Sequence, residues 1–172
     1  RDSLAGVGNR TALEVTLQRE LKLSLRHRRP MSLLIADVDN FKQMNDRLGH
    51  AMGDRLLLLA VSLIKGALRE TDQVFRYGGD EFVVFVKGAA HAAELTAMRI
   101  LAAIRDTPMT GNGTHKVSLT CSVGGALIMP GETLDAAASR ADVALYSAKN
   151  SGRNRFVISK LGKASVRRDR LA

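Results

Sequence analysis

Apolar residues in this sequence follow two alternating patterns, and this alternation constrains the fold more than any other feature. Longer segments repeat apolar residues every three or four positions and predict helices at 11–25, 55–68, 90–105 and 134–150. Between them, short apolar runs predict strands at 31–36, 73–77, 82–86, 116–128 and 155–159. Strands that alternate with helices but include one hairpin predict an α+β fold, with a mixed central sheet and helices packed around it in a nearly ferredoxin-like layout.

Local sequence chemistry adds three expectations about these elements. Asn40 is expected to cap a helix that starts at Phe41. The Gly78-Gly79 pair is expected to form the hairpin turn with positive φ angles, which glycine adopts without steric cost. Gly124-Gly125 is expected to interrupt the strand at 116–128.

Length and cysteine content set the class of protein. A chain of 172 residues suits one domain with a sizeable core, which we place at 1–159, followed by a basic, flexible tail at 160–172. The single cysteine, Cys121, excludes an intrachain disulfide and is typical of a reducing compartment. The sequence has no apolar run of about 18 residues and no signal-peptide pattern, so we expect a cytoplasmic domain. This expectation is compatible with a longer protein that is anchored in the membrane by another segment.

The net charge of +9 makes nucleic-acid binding an obvious hypothesis, because basic surfaces bind polyanions. Much of the excess positive charge lies in residues 26–29 and 160–170. No basic run is interleaved with aromatic residues that would stack on bases. We therefore expect no nucleic-acid partner.

Two acidic pairs lie at the ends of predicted strands. Asp37 and Asp39 come directly after the strand at 31–36, and Asp80 and Glu81 lie at the tip of the hairpin. Two such strand ends, placed side by side, would supply the oxygen ligands that Mg²⁺ prefers, with phosphates as its remaining ligands. Taken alone, such acids are more often helix caps or solvated turn residues, so their meaning depends on the surrounding motifs.

Longer motifs surround these acids. They are Asp37-x-Asp39-x-Phe41-Lys42-x-x-Asn45-Asp46, Gly49-His50-x-x-Gly53-Asp54, Arg76-Tyr77-Gly78-Gly79-Asp80-Glu81-Phe82, and Arg140-Ala141-Asp142-x-Ala144-Leu145-Tyr146-x-Ala148-Lys149-x-x-Gly152-Arg153-Asn154. In order and spacing they resemble the GGDEF family, the catalytic domains of diguanylate cyclases, from Asp2 to Arg155. The chain departs from the family pattern at Ala5, where Thr is usual, at Val7, where Leu is usual, and at Asp80, where many members have Glu.

The resemblance implies a nucleotide-cyclase-like architecture and an enzyme of bacterial signalling that condenses two GTP molecules into cyclic di-GMP and two pyrophosphates. Asp37, the Val38 carbonyl and Asp80 would hold two Mg²⁺ ions per active site, with Mn²⁺ as a substitute, around the triphosphate. Asp80 would lie nearest the attacking 3′-hydroxyl, with Glu81 beside it. Lys42 would stabilise the charge that develops in the transition state.

The resemblance also implies which residues bind guanine. Asp54 would accept hydrogen bonds from guanine N1–H and N2–H, whereas adenine would turn an acceptor lone pair toward the carboxylate. Asn45 would complete the base contact, with His50 close by. Phe41 belongs to this substrate-binding group as a packing residue.

Other charged residues are assigned to phosphate groups. Lys149 and Arg153 are four positions apart, so one helical face would direct both at the triphosphate. Arg69 and Asp72 match the RxxD pattern at which family members bind cyclic di-GMP as an inhibitor. A surface ion pair is the ordinary alternative for such a short pattern.

The product's two-fold symmetry bears on the assembly. One domain is expected to bind one GTP, so turnover requires a homodimer with two facing domains, and the monomer should be nearly inactive. The family also leads us to expect an upstream sensory or dimerising domain.

Three alternatives stay open from the sequence. The domain could be a catalytically silent receptor for GTP or cyclic di-GMP, although the intact motif at 78–82 counts against this. It could be another nucleotidyl transferase with paired acids, against which Asp54 and Asn45 count. A nucleic-acid binder driven by charge alone would show salt-sensitive binding to arbitrary DNA.

Overall fold

The computed structural model describes residues 6–110 and 116–159. The elements follow in the order α1 (Arg10–His27), β1 (Met31–Val38), α2 (Phe41–Leu48), α3 (His50–Ala67), β2 (Gln73–Arg76), β3 (Glu81–Lys87), α4 (Ala90–Arg105), β4 (Met109–Thr110), β5 (Lys116–Val117), β6 (Cys121–Leu127), α5 (Leu134–Asn150) and β7 (Phe156–Ser159). The predictions about the opening residues 1–5 and the tail at 160–172 lie outside the described residues.

The central sheet has the strand order β2-β3-β1-β6-β7. The pairs β2–β3, β3–β1 and β1–β6 are antiparallel, and β7 runs parallel to β6, which confirms the mixed sheet. The path β1, α2–α3, β2, β3, α4, β6 is the βαββαβ order of a ferredoxin-like unit, to which α5 and β7 are added. The short strands β4 and β5 pair separately.

Helices cover both faces of this sheet, and β1 is buried along its whole length. Alternate side chains of a strand point to opposite faces. Leu34 and Ala36 accordingly pack with apolar residues of α3 and α4, whereas Leu33 and Ile35 pack with those of α1 and α5. Of the helices in the described ranges, none is long and apolar enough to cross a membrane.

The glycine pair in β6 has a packing role. The prediction that Gly124-Gly125 interrupts the strand is wrong, because β6 is continuous through both residues. A Cβ atom at Gly124 would overlap the carbonyl oxygen of Ala141 and the amide nitrogen of Leu145. The missing side chain therefore lets the backbone of α5 lie directly on the sheet.

Helix α2 starts at Phe41 as predicted, but its cap and the start of α3 differ from the sequence prediction. Asn40 precedes α2 as expected, but its side chain makes no capping hydrogen bond. Its φ of 56° is left-handed, whereas a capping residue normally has extended backbone angles. Helix α3 begins at His50, so Gly53 and Asp54 lie within its first turns instead of ahead of it.

Candidate active site

The end of β1 and the start of β3 lie side by side, which brings the two acidic motifs together. In the antiparallel register Asp37 pairs with Glu81, and the Val38 N–H donates to the Asp80 carbonyl oxygen at 3.3 Å. Asp37 is buried, whereas Asp80 and Glu81 are partly exposed. The sheet thus gathers three carboxylates from distant parts of the chain at one edge.

The turn between β2 and β3 does not use its glycines as expected. Neither Gly78 nor Gly79 has a positive φ angle, so that prediction is wrong. Residues 77–80 separate the two strands, and a loop of this length does not need the left-handed residues of a two-residue turn. Arg76 holds the turn instead, since its Nε donates to the Gly78 carbonyl oxygen at 3.2 Å and its Nη2 to that of Gly79 at 2.7 Å. Sequence reasoning gave Arg76 no role, and its place beside the glycines was the only signal.

Negative charge accumulates at this edge of the sheet. Burial raises the pKa of Asp37, and the charge of Asp80 adds to the rise, although a hydrogen bond from Lys149 opposes it. Burial also raises the pKa of Glu81, with further contributions from the charges of Asp37, Asp142 and Asp80. Lys149 Nζ lies 2.9 Å from Asp37 Oδ2. This crowding of acids favours a cation.

A divalent cation fits the donor atoms found here. Asp37 and Asp80 offer carboxylate oxygens and Val38 a backbone carbonyl, which are the hard ligands that Mg²⁺ and Mn²⁺ accept. Within residues 6–110 and 116–159, no three His, Cys, Asp or Glu side chains already form a metal-binding group. The two carboxylates and one carbonyl named above would fill only part of a metal's coordination sphere and leave positions for phosphate or water.

An open cavity of about 300 Å³ adjoins the carboxylates, between α2, α3 and the β2–β3 turn. It is lined by Phe41, Lys42, Asn45, His50, Asp54, Leu57, Arg76, Gly79 and Asp80. The structure thereby brings together the residues predicted to contact the base with one predicted metal ligand. A larger cavity of about 520 Å³ beside Glu20 and Lys87 contains none of these residues and lies at the opposite end of β1 and β3.

The guanine-binding candidates are held by contacts between α2 and α3. The Asn45 amide nitrogen lies 2.8 Å from His50 Nδ1. A side chain at Gly53 would overlap the Asn45 carboxamide, so glycine is needed there for Asn45 to occupy this position. His50 and Asp54 are one helical turn apart on α3 and line the same cavity.

The two cations assigned to phosphate do not line this cavity. Lys149 belongs to the last turn of α5 and is paired with Asp37. Arg153 lies in the turn that follows α5, where it is exposed and has a left-handed φ of 62°. The structure thus brings Lys149 to the carboxylates and leaves the Arg153 side chain at the surface beyond them.

Asp39 differs from Asp37 despite their shared motif. It is only 4% exposed. Its carboxylate accepts hydrogen bonds from Thr120 Oγ1 and Ser122 Oγ, each at 2.7 Å, and from the Asn154 N–H at 3.0 Å. The Asp39 carboxylate thus accepts hydrogen bonds from three groups of the protein itself. The sequence pattern did not predict this difference between Asp37 and Asp39.

The residues of the RxxD pattern lie away from the cavity. Asp72 is buried, and its carboxylate accepts from the backbone N–H of Arg69 at 3.2 Å and of Lys87 at 3.3 Å. Arg69 itself is exposed. Asp72 therefore shapes the connection between α3 and β2, and Arg69 is the residue of the pair that faces solvent.

Comparisons of the sequence with known proteins identify its family. A family model described as "Diguanylate cyclase, GGDEF domain" matches residues 1–155. Diguanylate cyclase DgcS of Shewanella oneidensis is 41% identical over 160 residues, which cover 92% of this chain and 52% of that protein. Diguanylate cyclase DosC of Escherichia coli is 37% identical over 166 residues, or 96% of this chain and 35% of that protein. The chain thus spans about half the length of the first relative and about a third of the second.

Solved structures agree with the sequence comparison. The GGDEF domain of DgcB from Caulobacter crescentus in complex with c-di-GMP superposes with a TM-score of 0.87 at 30% identity, covering 92% of each chain. Diguanylate cyclase SiaD of Pseudomonas aeruginosa, in complex with its activator SiaC, gives a TM-score of 0.87 at 38% identity and covers 92% of this chain and 61% of that one. The fold is therefore shared along nearly all of this chain.

Proposed function

The chain belongs to the GGDEF family, and we propose that it acts as a diguanylate cyclase, condensing two GTP molecules into cyclic di-GMP and two pyrophosphates. The observation that carries this proposal is the meeting of Asp37, Asp80 and Glu81 beside a cavity lined by Asn45 and Asp54. This arrangement sets oxygen ligands for a metal-bound triphosphate next to hydrogen-bonding partners for a base. Neither half of the site alone would indicate a nucleotide cyclase.

Asp37, the Val38 carbonyl and Asp80 are the proposed ligands of two Mg²⁺ ions, for which Mn²⁺ would substitute. When bound, the metal would neutralise the triphosphate and lower the pKa of the attacking 3′-hydroxyl. Asp80 lines the cavity and is the acid that we assign to that hydroxyl, with Glu81 next to it in the chain. The raised pKa values of Asp37 and Glu81 support this assignment, because a bound cation relieves the repulsion between clustered carboxylates.

Guanine selection is assigned to Asp54 and Asn45. A carboxylate accepts both guanine donors, N1–H and N2–H, and adenine would leave it unpaired, which costs affinity by orders of magnitude in a buried contact. The contact between Asn45 and His50 supports a fixed amide orientation in the cavity. Phe41 packs against the same helices and shapes the wall of the pocket.

Lysine and arginine side chains are assigned to the triphosphate. Lys42 lines the cavity near Asp80 and would stabilise charge on the transferred phosphoryl group. Lys149, already at the carboxylates, would exchange its contact with Asp37 for a phosphate oxygen. Arg153 would add a planar, bidentate phosphate contact.

A dimer of domains follows from the product. Cyclic di-GMP is two-fold symmetric, and one cavity of about 300 Å³ suits one nucleotide. Two domains with facing cavities would close as an isologous pair. Because this chain covers only 52% and 35% of the two curated relatives, a sensory or dimerising domain upstream is part of the proposal.

Product inhibition is assigned to the RxxD pattern. Arg69 is exposed and able to grip a phosphate or a guanine edge. Asp72 would contribute through the backbone it holds, since its carboxylate oxygens already accept two N–H donors. The GGDEF domain of DgcB was solved in complex with c-di-GMP, which supports a product-binding surface on this fold.

The test is turnover by the purified chain at high protein concentration with GTP and Mg²⁺, followed by chromatography of cyclic di-GMP. Product from the wild type, none from Asp80→Ala and none from ATP is the expected result. GTP binding without turnover, even after artificial dimerisation, would instead identify a receptor domain. Absence of GTP binding would contradict the cyclase and the GTP receptor, and binding of cyclic di-GMP alone would then identify a receptor for the product.

A further inference from the structure

We propose that Asp39 is a positioning residue that fixes the turn after α5, and so aligns Arg153 with the carboxylates at the end of β1. This inference rests on the proposed function, because it concerns how the triphosphate would be bound. It assigns Asp39 no contact with metal or nucleotide. Its role would be exerted through the backbone at Asn154.

The contacts of Asp39 join three separate parts of the fold. Thr120 and Ser122 belong to the segment that starts β6, and Asn154 belongs to the turn between α5 and β7. The Asp39 N–H also donates to the Thr120 carbonyl oxygen at 2.9 Å. Because Asp39 is only 4% exposed and its carboxylate is satisfied by three donors, it is a fixed point on which the turn can be anchored.

The turn itself needs an anchor. Arg153 has a φ of 62° and Asn154 a φ of 46°, so two consecutive residues with side chains are left-handed. Such a conformation is disfavoured for arginine and persists only where surrounding contacts determine it. The Arg153 N–H donates to the Ala148 carbonyl oxygen at 3.1 Å, which ties the turn back to α5, and the bond from Asn154 to Asp39 ties it to the end of β1.

Asp37 and Asp39 therefore act on the same segment in different ways. Asp37 holds the side chain of Lys149, but as a proposed metal ligand it would give up that contact when nucleotide binds. Asp39 binds a backbone N–H from a buried position and has no such competing ligand. After Lys149 is released, the hydrogen bond between Asp39 and the Asn154 N–H would remain and would keep Arg153 in position.

The consequence is a selective loss of phosphate affinity. In Asp39→Ala the Asn154 N–H has no acceptor at this position, the left-handed turn relaxes, and Arg153 loses its alignment. We expect the affinity for GTP to fall roughly tenfold, in line with the loss of one charged hydrogen bond. Affinity for guanosine, which has no phosphates, should stay unchanged.

A thermodynamic cycle between Asp39 and Arg153 tests this directly. Calorimetry would compare GTP and guanosine binding, in EDTA and again with Mg²⁺, for the wild type, Asp39→Ala, Arg153→Ala and the double variant. Coupling requires that Asp39→Ala costs little further affinity once Arg153 is absent. Asp39→Asn should restore GTP binding, because its Oδ1 can accept from Asn154 while Nδ2 donates to Ser122 Oγ.

Matched controls separate positioning from general damage. Ser122→Ala removes another hydrogen bond from the same carboxylate without touching the turn, and should leave the ratio of GTP to guanosine affinity unchanged. Thermal unfolding of every variant checks the fold. Should Asp39→Ala fail to fold, amide hydrogen exchange at Asn154 decides, since the proposal requires a protected amide in both the wild type and Asp39→Asn.

Several outcomes would overturn the inference while leaving the proposed function intact. One is a GTP affinity that stays unchanged in Asp39→Ala, and another is an equal loss of affinity for GTP and for guanosine. The others are additive effects of Asp39→Ala and Arg153→Ala on GTP affinity, and an Asn154 amide that exchanges freely in the folded wild type. A wild type that does not bind GTP would remove the proposed function, and this inference with it.

Discussion

Strands β1 and β3 have acidic residues near both of their ends, but the acids at the two ends have different surroundings. At the site end, Asp37 and Glu81 are crowded by other carboxylates, and burial raises their pKa values. At the far end, Asp72 accepts two backbone N–H donors, and the buried Glu20 pairs with Lys87 at 3.3 Å and Arg19 at 3.2 Å. Acids with full complements of partners stabilise a fold, whereas acids left in excess are available for a ligand.

The largest effect should come from Asp37 at the site end. Asp37→Asn is expected to lower cyclic di-GMP formation by roughly 10²-fold or more, because the proposed metal ligand loses its charge at the site proposed to stabilise the transition state. Thermal stability should stay equal or rise, because a repelled, buried carboxylate is removed. Turnover and thermal unfolding would be measured side by side. Asp46→Asn, at an exposed acid of the same motif, is the control, and equal loss of activity there would contradict the assignment.

The far end should respond in the opposite way. Asp72→Ala leaves two backbone donors without their acceptor and is expected to lower the free energy of unfolding by about 1–3 kcal/mol. Urea denaturation measures this, with the exposed neighbour Glu70→Ala as control. Unchanged stability would show that the Asp72 carboxylate is not needed for the fold.

The pH dependence of stability offers a finer test of paired against crowded acids. Burial alone would raise the pKa of Glu132, but hydrogen bonds from Arg140 and from the Met129 N–H, with the charge of Arg140, lower it. The ionised Glu132 carboxylate therefore stabilises the fold at pH values above its unfolded pKa, and this stabilisation is lost as the pH falls through its folded pKa. Glu81 has a raised pKa, so it opposes folding at neutral pH and this penalty disappears as the pH falls below its unfolded pKa.

Two substitutions test whether Glu132 and Glu81 have opposite effects on stability. Glu132→Gln should lower stability at neutral pH and weaken the loss of stability in acid, whereas Glu81→Gln should raise stability at neutral pH. Denaturant unfolding across the acid range measures both. The same sign for both variants would be inconsistent with the contrast between paired and crowded acids.

The smallest effect is expected at Arg19. Its side chain is 66% exposed while its partner Glu20 is buried, and an ion pair with an exposed partner typically contributes about 0–1 kcal/mol. Arg19→Ala should therefore leave the unfolding midpoint almost unchanged, because Lys87 still pairs with Glu20. A loss above about 1 kcal/mol would mean that Arg19 is more than a surface partner.

Much of the fold was predictable because its signals are local. The periodicity of apolar residues located α4 and α5 at their observed bounds and α1 to within two residues at either end. Motif spacing located the acids and the residues of the cavity. The errors at Asn40, at Gly78-Gly79 and at Gly124-Gly125 have one source, since each local preference was overruled by the path or the packing of the surrounding chain.

The sequence by itself determined the order of helices and strands, the family motifs and the residue types of the candidate site, because these depend on short-range periodicity and spacing. Only the tertiary structure distinguished Asp37 from Asp39, two residues apart in one motif. The partners of Asp39 are 81, 83 and 115 positions away along the chain. Contacts over such separations are set by how the sheet and α5 pack, and no local pattern records them.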